Sequence, residues 1–197
     1  MKDGKRTPEI LLLPNILSLA RVLLTPVFIW AAIRQRPWLT FGVFLLAGAT
    51  DALDGFTARA FRLKSNLGLW LDPLGDKILL TAAFVVLTLP RLSVPNALPL
   101  WLTAICIGRD VLIALGSLVY ISFRGKTVFP PTLAGKISTI AAVATLLAVL
   151  LANGLGTSPG WLKGLYILTA GLTSLSGLHY IVTGLRRFFR REGTPGA

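Results

Sequence analysis

Six apolar runs, each about 20 residues long, follow one another along this chain. Short stretches rich in Arg, Lys, Pro and Gly separate them. A helical run of that length matches the hydrocarbon thickness of a bilayer, and a helix satisfies its backbone polar groups internally. The pattern predicts an all-α integral membrane protein, a six-transmembrane-helix bundle. The expected spans cover residues 10–33, 38–58, 71–89, 98–123, 136–152 and 161–188. Residues 1–9 read as a polar N-terminal juxtamembrane segment, 10–188 as one six-helix domain and 189–197 as a basic C-terminal tail. Only 14% of the residues are charged and mean hydropathy is +0.72, which excludes an ordinary soluble domain. The first apolar run is too long for a signal peptide and lacks a small-residue cleavage site, so no cleavable leader is expected. The single Cys106 excludes a disulfide within the chain and reads as a small core residue.

Four of the chain's eight acidic residues fall at the end of the second run and the start of the third, flanked by apolar sequence. An isolated carboxylate in a membrane helix costs about 2.5–3.5 kcal/mol. A divalent cation would offset that cost, because hard cations take carboxylate oxygens. The spacing fits such a site. Asp51, Asp54, Gly55 and Ala58 stand at i, i+3, i+4 and i+7, one face of a helix, and Gly68, Asp72 and Asp76 repeat that face at i, i+4 and i+8. Two antiparallel helices could bring the two acidic faces together. Carboxylates without His or Cys point to Mg²⁺ or Mn²⁺, not zinc. Gly55, Ala58 and Gly68 would lower the wall beside the ions, so that a bulky phosphate ester can approach.

The pattern D-x2-D-G-x2-A-R-x8-G-x3-D-x3-D resembles the signature of the CDP-alcohol phosphotransferase family, and all its fixed positions are filled. The resemblance implies that Asp51, Asp54 and Asp72 ligate two metal ions. It implies that Asp76 shares an ion and serves as the base, and that the substrate is a CDP-linked lipid or alcohol. Pro14-Asn15, Ser18 and Arg21 look like the start of the family's first helix, which lines the CDP pocket. Asn15 and Ser18 are thereby candidates for CDP-lipid binding, and otherwise make ordinary interhelical hydrogen bonds. Arg59 lies one turn beyond Asp54-Gly55, where its fork could grip a phosphate. The bland alternative is a positive-inside residue. The resemblance suggests a CDP contact at Ser65, which could equally cap a helix.

Beyond the motif, Arg109-Asp110 sits well inside the fourth run. Ionisable residues in mid-membrane are functional candidates. Arg109 either holds the acceptor or forms a structural ion pair, and Lys136 either binds a phosphate or anchors its helix end. His179, alone in the sixth run, reads as packed or hydrogen-bonded, with no chemistry.

The net charge of +12 has a membrane explanation rather than a nucleic-acid one, because the basic residues gather at span ends. With six spans both termini share one side. That side collects Lys2, Lys5, Arg6, Arg59, Arg62, Lys64, Arg124, Lys126 and Lys136, with Arg186, Arg187, Arg190 and Arg191 at the C-terminal end. The other side collects Arg34, Arg36, Arg91 and Lys163, together with Trp30, Trp38, Trp101 and Trp161. The bias predicts a protein of the cell (cytoplasmic) membrane, with both termini and a polar active-site cavity facing the cytoplasm.

The expected reaction moves a phosphatidyl group from CDP-diacylglycerol to an alcohol and releases CMP. The flanking sequence is similar to the phosphatidylglycerophosphate synthase and cardiolipin synthase group, which implies glycerol-3-phosphate or phosphatidylglycerol as acceptor. Synthases using the first tend to carry a further Arg in the fourth helix. Residues 111–116 supply none, which leans toward phosphatidylglycerol and leaves both open. Inositol-phosphate and serine acceptors are the alternatives within this chemistry. A cation transporter using the carboxylates is the alternative outside it, but leaves Gly55, Ala58, Arg59 and Gly68 unexplained. The resemblance and the small-residue-rich spans also imply a homodimer.

Overall fold

In the computed structural model, residues 13–61, 68–124 and 132–189 are described. For 13–19, 51–61, 68–76, 120–121, 123–124, 185 and 187–189 the description is confined to the backbone. All secondary structure in the described residues is helical: α1 (Leu13–Ile33), α2 (Pro37–Phe61), α3 (Gly68–Thr88), α4 (Leu100–Arg124), α5 (Leu133–Gly154) and α6 (Trp161–Phe189).

Each helix coincides with one apolar run, and local chemistry sets the ends. At the end of α1, Gln35 takes a left-handed φ of 51°. The Gln35 and Arg36 amides then donate to the Ala32 and Ala31 carbonyls at 3.0 Å each, closing a Schellman motif. Pro37 opens α2, where its missing N–H costs nothing. The end of α5 repeats the device: Gly156, at φ 66°, and Thr157 donate to Asn153 and Ala152.

Among the described residues, α4, α5 and α6 contain stretches long and apolar enough to cross a membrane, at Leu100–Val119, Leu133–Gly154 and Trp161–Gly184. The other three carry shorter ones, Ala20–Ile33, Pro37–Thr50 and Lys77–Thr88.

The chain forms two compact units. The first comprises α1, α2, α3, the segment to Leu98 and residues 146–159, including the end of α5. Here α1 packs against both α2 and α3. Ala31 and Ala32 on α1, Ala47 on α2 and Ala83 on α3 are buried and let backbones approach closely. The rings of Phe28 and Phe44 fill the α1–α2 contact with centroids 5.9 Å apart. The second unit comprises α4, the start of α5 and α6, with α4 packed on α6. Its core mixes Leu102, Cys106, Ala142 and Ala170 with buried hydroxyls. Cys106 is thus the small core residue expected. His179 is exposed on α6 rather than packed, because its neighbours Ser176 and Gly177 take the inward face.

Candidate active site

The acidic motif lies in the first unit, on continuous helical backbone. α2 is unbroken through Asp51, Asp54, Gly55, Ala58 and Arg59, so these residues share the face that their spacing implies, and Asp72 and Asp76 lie one turn apart near the start of α3. α3 begins at Gly68, earlier than the expected start near Leu71, which brings the whole second half of the motif into helix. Pro73 falls in the second turn without ending it. The side chains of 51–76 lie outside the described residues, and so do those of Asn15 and Ser18 on α1; Ser65 lies outside them entirely.

The described contacts add α1 to the site. It is the helix that packs against both motif-bearing helices. On it, Arg21 is only 1% exposed, the most deeply buried charged residue described. Burying a guanidinium among apolar helices is costly unless anions or acceptors surround it. Just beyond, the Thr25 hydroxyl donates to the Arg21 carbonyl at 3.0 Å, one turn back along α1. As a donor set, four carboxylates at one-turn spacing on two helices offer only hard oxygens, which fits Mg²⁺ or Mn²⁺.

A second polar centre lies inside the other unit. Arg109 of α4 reaches the adjacent Asp110 carboxylate at 2.7 Å, with side chains 12% and 28% exposed. Its other terminal nitrogen donates to the Ser176 hydroxyl of α6 at 3.0 Å. The structural ion pair therefore exists, and the guanidinium is held from both sides. The start of α5 closes on the same group. A Cβ at Gly135 would stand 3.0 Å from an Arg109 nitrogen and 3.2 Å from the Thr132 hydroxyl, so a larger residue there would need the guanidinium to give by a few tenths of an ångström. The Gly135 amide is capped by the Thr132 hydroxyl at 3.1 Å, and exposed Lys136 follows in this first turn.

Further along, Ser138 donates to Thr173 at 3.2 Å and Thr145 pairs with Thr169 at 2.7 Å. Ser117 of α4 pairs with the Tyr180 hydroxyl of α6. The roles of Ser176 and Gly135 beside Arg109, and of Tyr180 beside Ser117, were not recognisable in the sequence. The only available signal was weak: small and polar residues recurring at helical spacing in runs otherwise apolar.

Comparison with known proteins decides what this arrangement belongs to. The sequence signature of CDP-alcohol phosphatidyltransferases matches residues 11–176, most of the chain and both halves of the motif. The chain belongs to the CDP-alcohol phosphatidyltransferase family. Among its relatives is the cardiolipin synthase (CMP-forming) of Homo sapiens, 40% identical over 135 residues. That match takes in 68% of this chain and 42% of the human protein. A cardiolipin synthase (CMP-forming) of Streptomyces coelicolor is 31% identical over 169 residues, covering 81% of this chain and 73% of that one. The CDP-diacylglycerol–glycerol-3-phosphate 3-phosphatidyltransferase of Bacillus subtilis is 33% identical over 156 residues, covering 72% and 77%. The chain thus spans less than half the length of its human relative and about three quarters of these two bacterial ones. Family membership and the three long apolar helices make it a membrane protein.

Proposed function

We propose that the chain catalyses a step of phospholipid biosynthesis: transfer of a phosphatidyl group from CDP-diacylglycerol to the hydroxyl of a glycerol-type acceptor. The observation that carries this reading is the complete acidic motif on α2 and α3 of a family member. The acceptor oxygen forms a bond to the phosphatidyl phosphorus, the bond from that phosphorus to the CMP oxygen breaks, and CMP leaves. Asp51, Asp54, Asp72 and Asp76 would hold two divalent cations, Mg²⁺ or Mn²⁺, which supply charge neutralisation at the diphosphate. Asp76 takes the proton from the acceptor hydroxyl. Arg59 grips a phosphate through its planar fork. Gly55, Ala58 and Gly68 leave room for the diphosphate, and Asn15, Ser18 and Ser65 bind the CDP portion.

On the acceptor side, Arg109 is the positioned cation, with Lys136 on the first turn of α5. Matches to proteins named for two different products support a glycerol-type acceptor, glycerol-3-phosphate or phosphatidylglycerol. Two features favour phosphatidylglycerol. No Lys or Arg follows Arg109 on α4 before Arg124, and Ser117 fills the α4–α6 contact with an uncharged pair to Tyr180.

The proposal includes six membrane spans, both termini and the active site toward the cytoplasm, and a homodimer. It draws support from the charge bias and the small residues of the helices. The decisive experiment supplies purified protein with CDP-diacylglycerol, Mg²⁺ and each acceptor in turn, resolving lipid products by thin-layer chromatography. CMP release with a glycerol-type acceptor is expected. Product formed only with serine or inositol phosphate would move the acceptor assignment, and no CMP release with any of them would remove the proposed reaction. Crosslinking in native membranes checks the dimer.

A further inference from the structure

The first unit carries a second feature, far along α2 from the acidic motif. Asp51 stands fourteen positions after Pro37 on continuous helix, about 21 Å of rise. At the Pro37 end the turn between α1 and α2 meets the segment after α3. Gln35, in its left-handed conformation, donates from Nε2 to the Arg91 carbonyl at 2.6 Å. That bond brings Arg34, Arg36 and Arg91 to one end of the unit. The sequence has no Asp or Glu between 10 and 50, or between 77 and 109, so these cations have no acidic neighbour along the chain on either segment.

Between the two segments lies a cavity of about 180 Å³. Its apolar walls include Ala32, Leu87, Val94 and Leu150, and its polar atoms come from Gln35, Arg36, Thr40 and Asn153. Most of those atoms are already engaged. The Thr40 hydroxyl donates to the Arg36 carbonyl at 2.9 Å. Asn153 accepts from the Asn96 amide at 2.8 Å and donates to Ser93 at 2.9 Å. Among the described residues nothing bonds the Arg36 guanidinium, which stands exposed at the rim. Trp30 and Trp38 flank the turn half-exposed, and Arg34 stacks over Trp30 at 5.8 Å. Half-exposed indoles at helix ends mark the depth of lipid headgroups. A fork of donors, an apolar recess and headgroup depth together match one kind of ligand.

We propose that this end of the unit binds the headgroup of an anionic phospholipid, with its phosphate on Arg36 and Arg91 and its glycerol portion in the cavity. The site is separate from the acidic motif and does not depend on the reaction proposed above.

The test is native mass spectrometry of the delipidated protein in detergent, titrated with phosphatidylglycerol and, in parallel, phosphatidylcholine. The Arg36→Gln/Arg91→Gln variant should lose one retained phosphatidylglycerol per chain, with affinity at that site down at least fivefold. Its thermal midpoint without lipid should be unchanged. Val94→Trp, which fills the recess without altering charge, should lose the same lipid, and Lys163→Gln, a charge control in the other unit, should not. Retention unchanged in the arginine variant overturns the proposal, and so does equal loss of phosphatidylcholine. Retention unchanged in Val94→Trp would show that the cavity takes no part. Displacement by millimolar glycerol phosphate would make the ligand a soluble phosphate and overturn the lipid assignment.

Discussion

The two units solve the same packing problem in different ways. In the first, α1 is wedged against α2 and α3 through buried alanines and the Phe28–Phe44 contact. In the second, α4, α6 and the start of α5 are joined by side-chain hydrogen bonds: Arg109–Ser176, Ser138–Thr173, Thr145–Thr169 and Ser117–Tyr180. Lipid gives helices no hydrophobic reason to associate, so close van der Waals packing or interhelical hydrogen bonds must hold them. Close packing suits the unit that carries the carboxylates. Ligands on two helices converge only if the helices beneath them cannot shift. Hydrogen-bonded packing suits a unit whose polar groups hold a cation in place.

The sharpest break in that comparison is at the motif. Asp54→Asn should abolish turnover together with binding of CDP-diacylglycerol and Mg²⁺. Asp76→Asn should lose at least roughly 10²- to 10⁴-fold in turnover, the usual contribution of a general base, while calorimetry still detects both ligands. Near-normal CMP release from Asp76→Asn would remove it as the base. Loss of binding as complete as in Asp54→Asn would make it one more ligand.

Overpacking tests the scaffold itself. Ala83, 0% exposed on α3, has no room for added methylenes, so Ala83→Leu should cost about 1–3 kcal/mol in detergent unfolding. Exposed Ala104 on α4 should accept leucine without loss. Equal effects at the two positions would erase the distinction between a packed face and an outward one.

In the second unit Ser176→Ala removes the hydroxyl that holds Arg109. Hydrogen bonds to charged groups contribute about 1.5–3 kcal/mol, so the acceptor KM should rise about tenfold or more. The KM for CDP-diacylglycerol should not move. A change in both, or in kcat alone, would mean that Ser176 serves only the fold.

The smallest effect is expected at Thr145→Val, which keeps the shape and deletes the hydroxyl bonded to Thr169. Interhelical hydrogen bonds in membranes average about 0.6 kcal/mol, so unfolding should shift by that order and activity not at all. A loss several times larger would show that the Thr145–Thr169 pair is part of a cooperative polar network.

The sequence by itself determined the helices, because the length of an apolar run and the chemistry of Pro and Gly act locally. Six runs became six helices with ends displaced by only a few residues, and Pro37 and Gly156 stand where turn chemistry requires. It also determined the acidic motif, since one-turn spacing on a helix fixes which residues share a face before any packing occurs. Only the tertiary structure decided what Arg109 touches. Asp110 is its neighbour in sequence, but Ser176 lies 67 residues away, and Gly135 matters only because another helix approaches there. Likewise Gln35, 56 residues from Arg91, ties the α1–α2 turn to the segment after α3 and brings their arginines to one end of the unit. A serine or glutamine in an apolar or basic stretch carries no mark of its partner. Hydrogen-bond partners on different helices are set by which faces pack together, and one-dimensional spacing does not encode that choice.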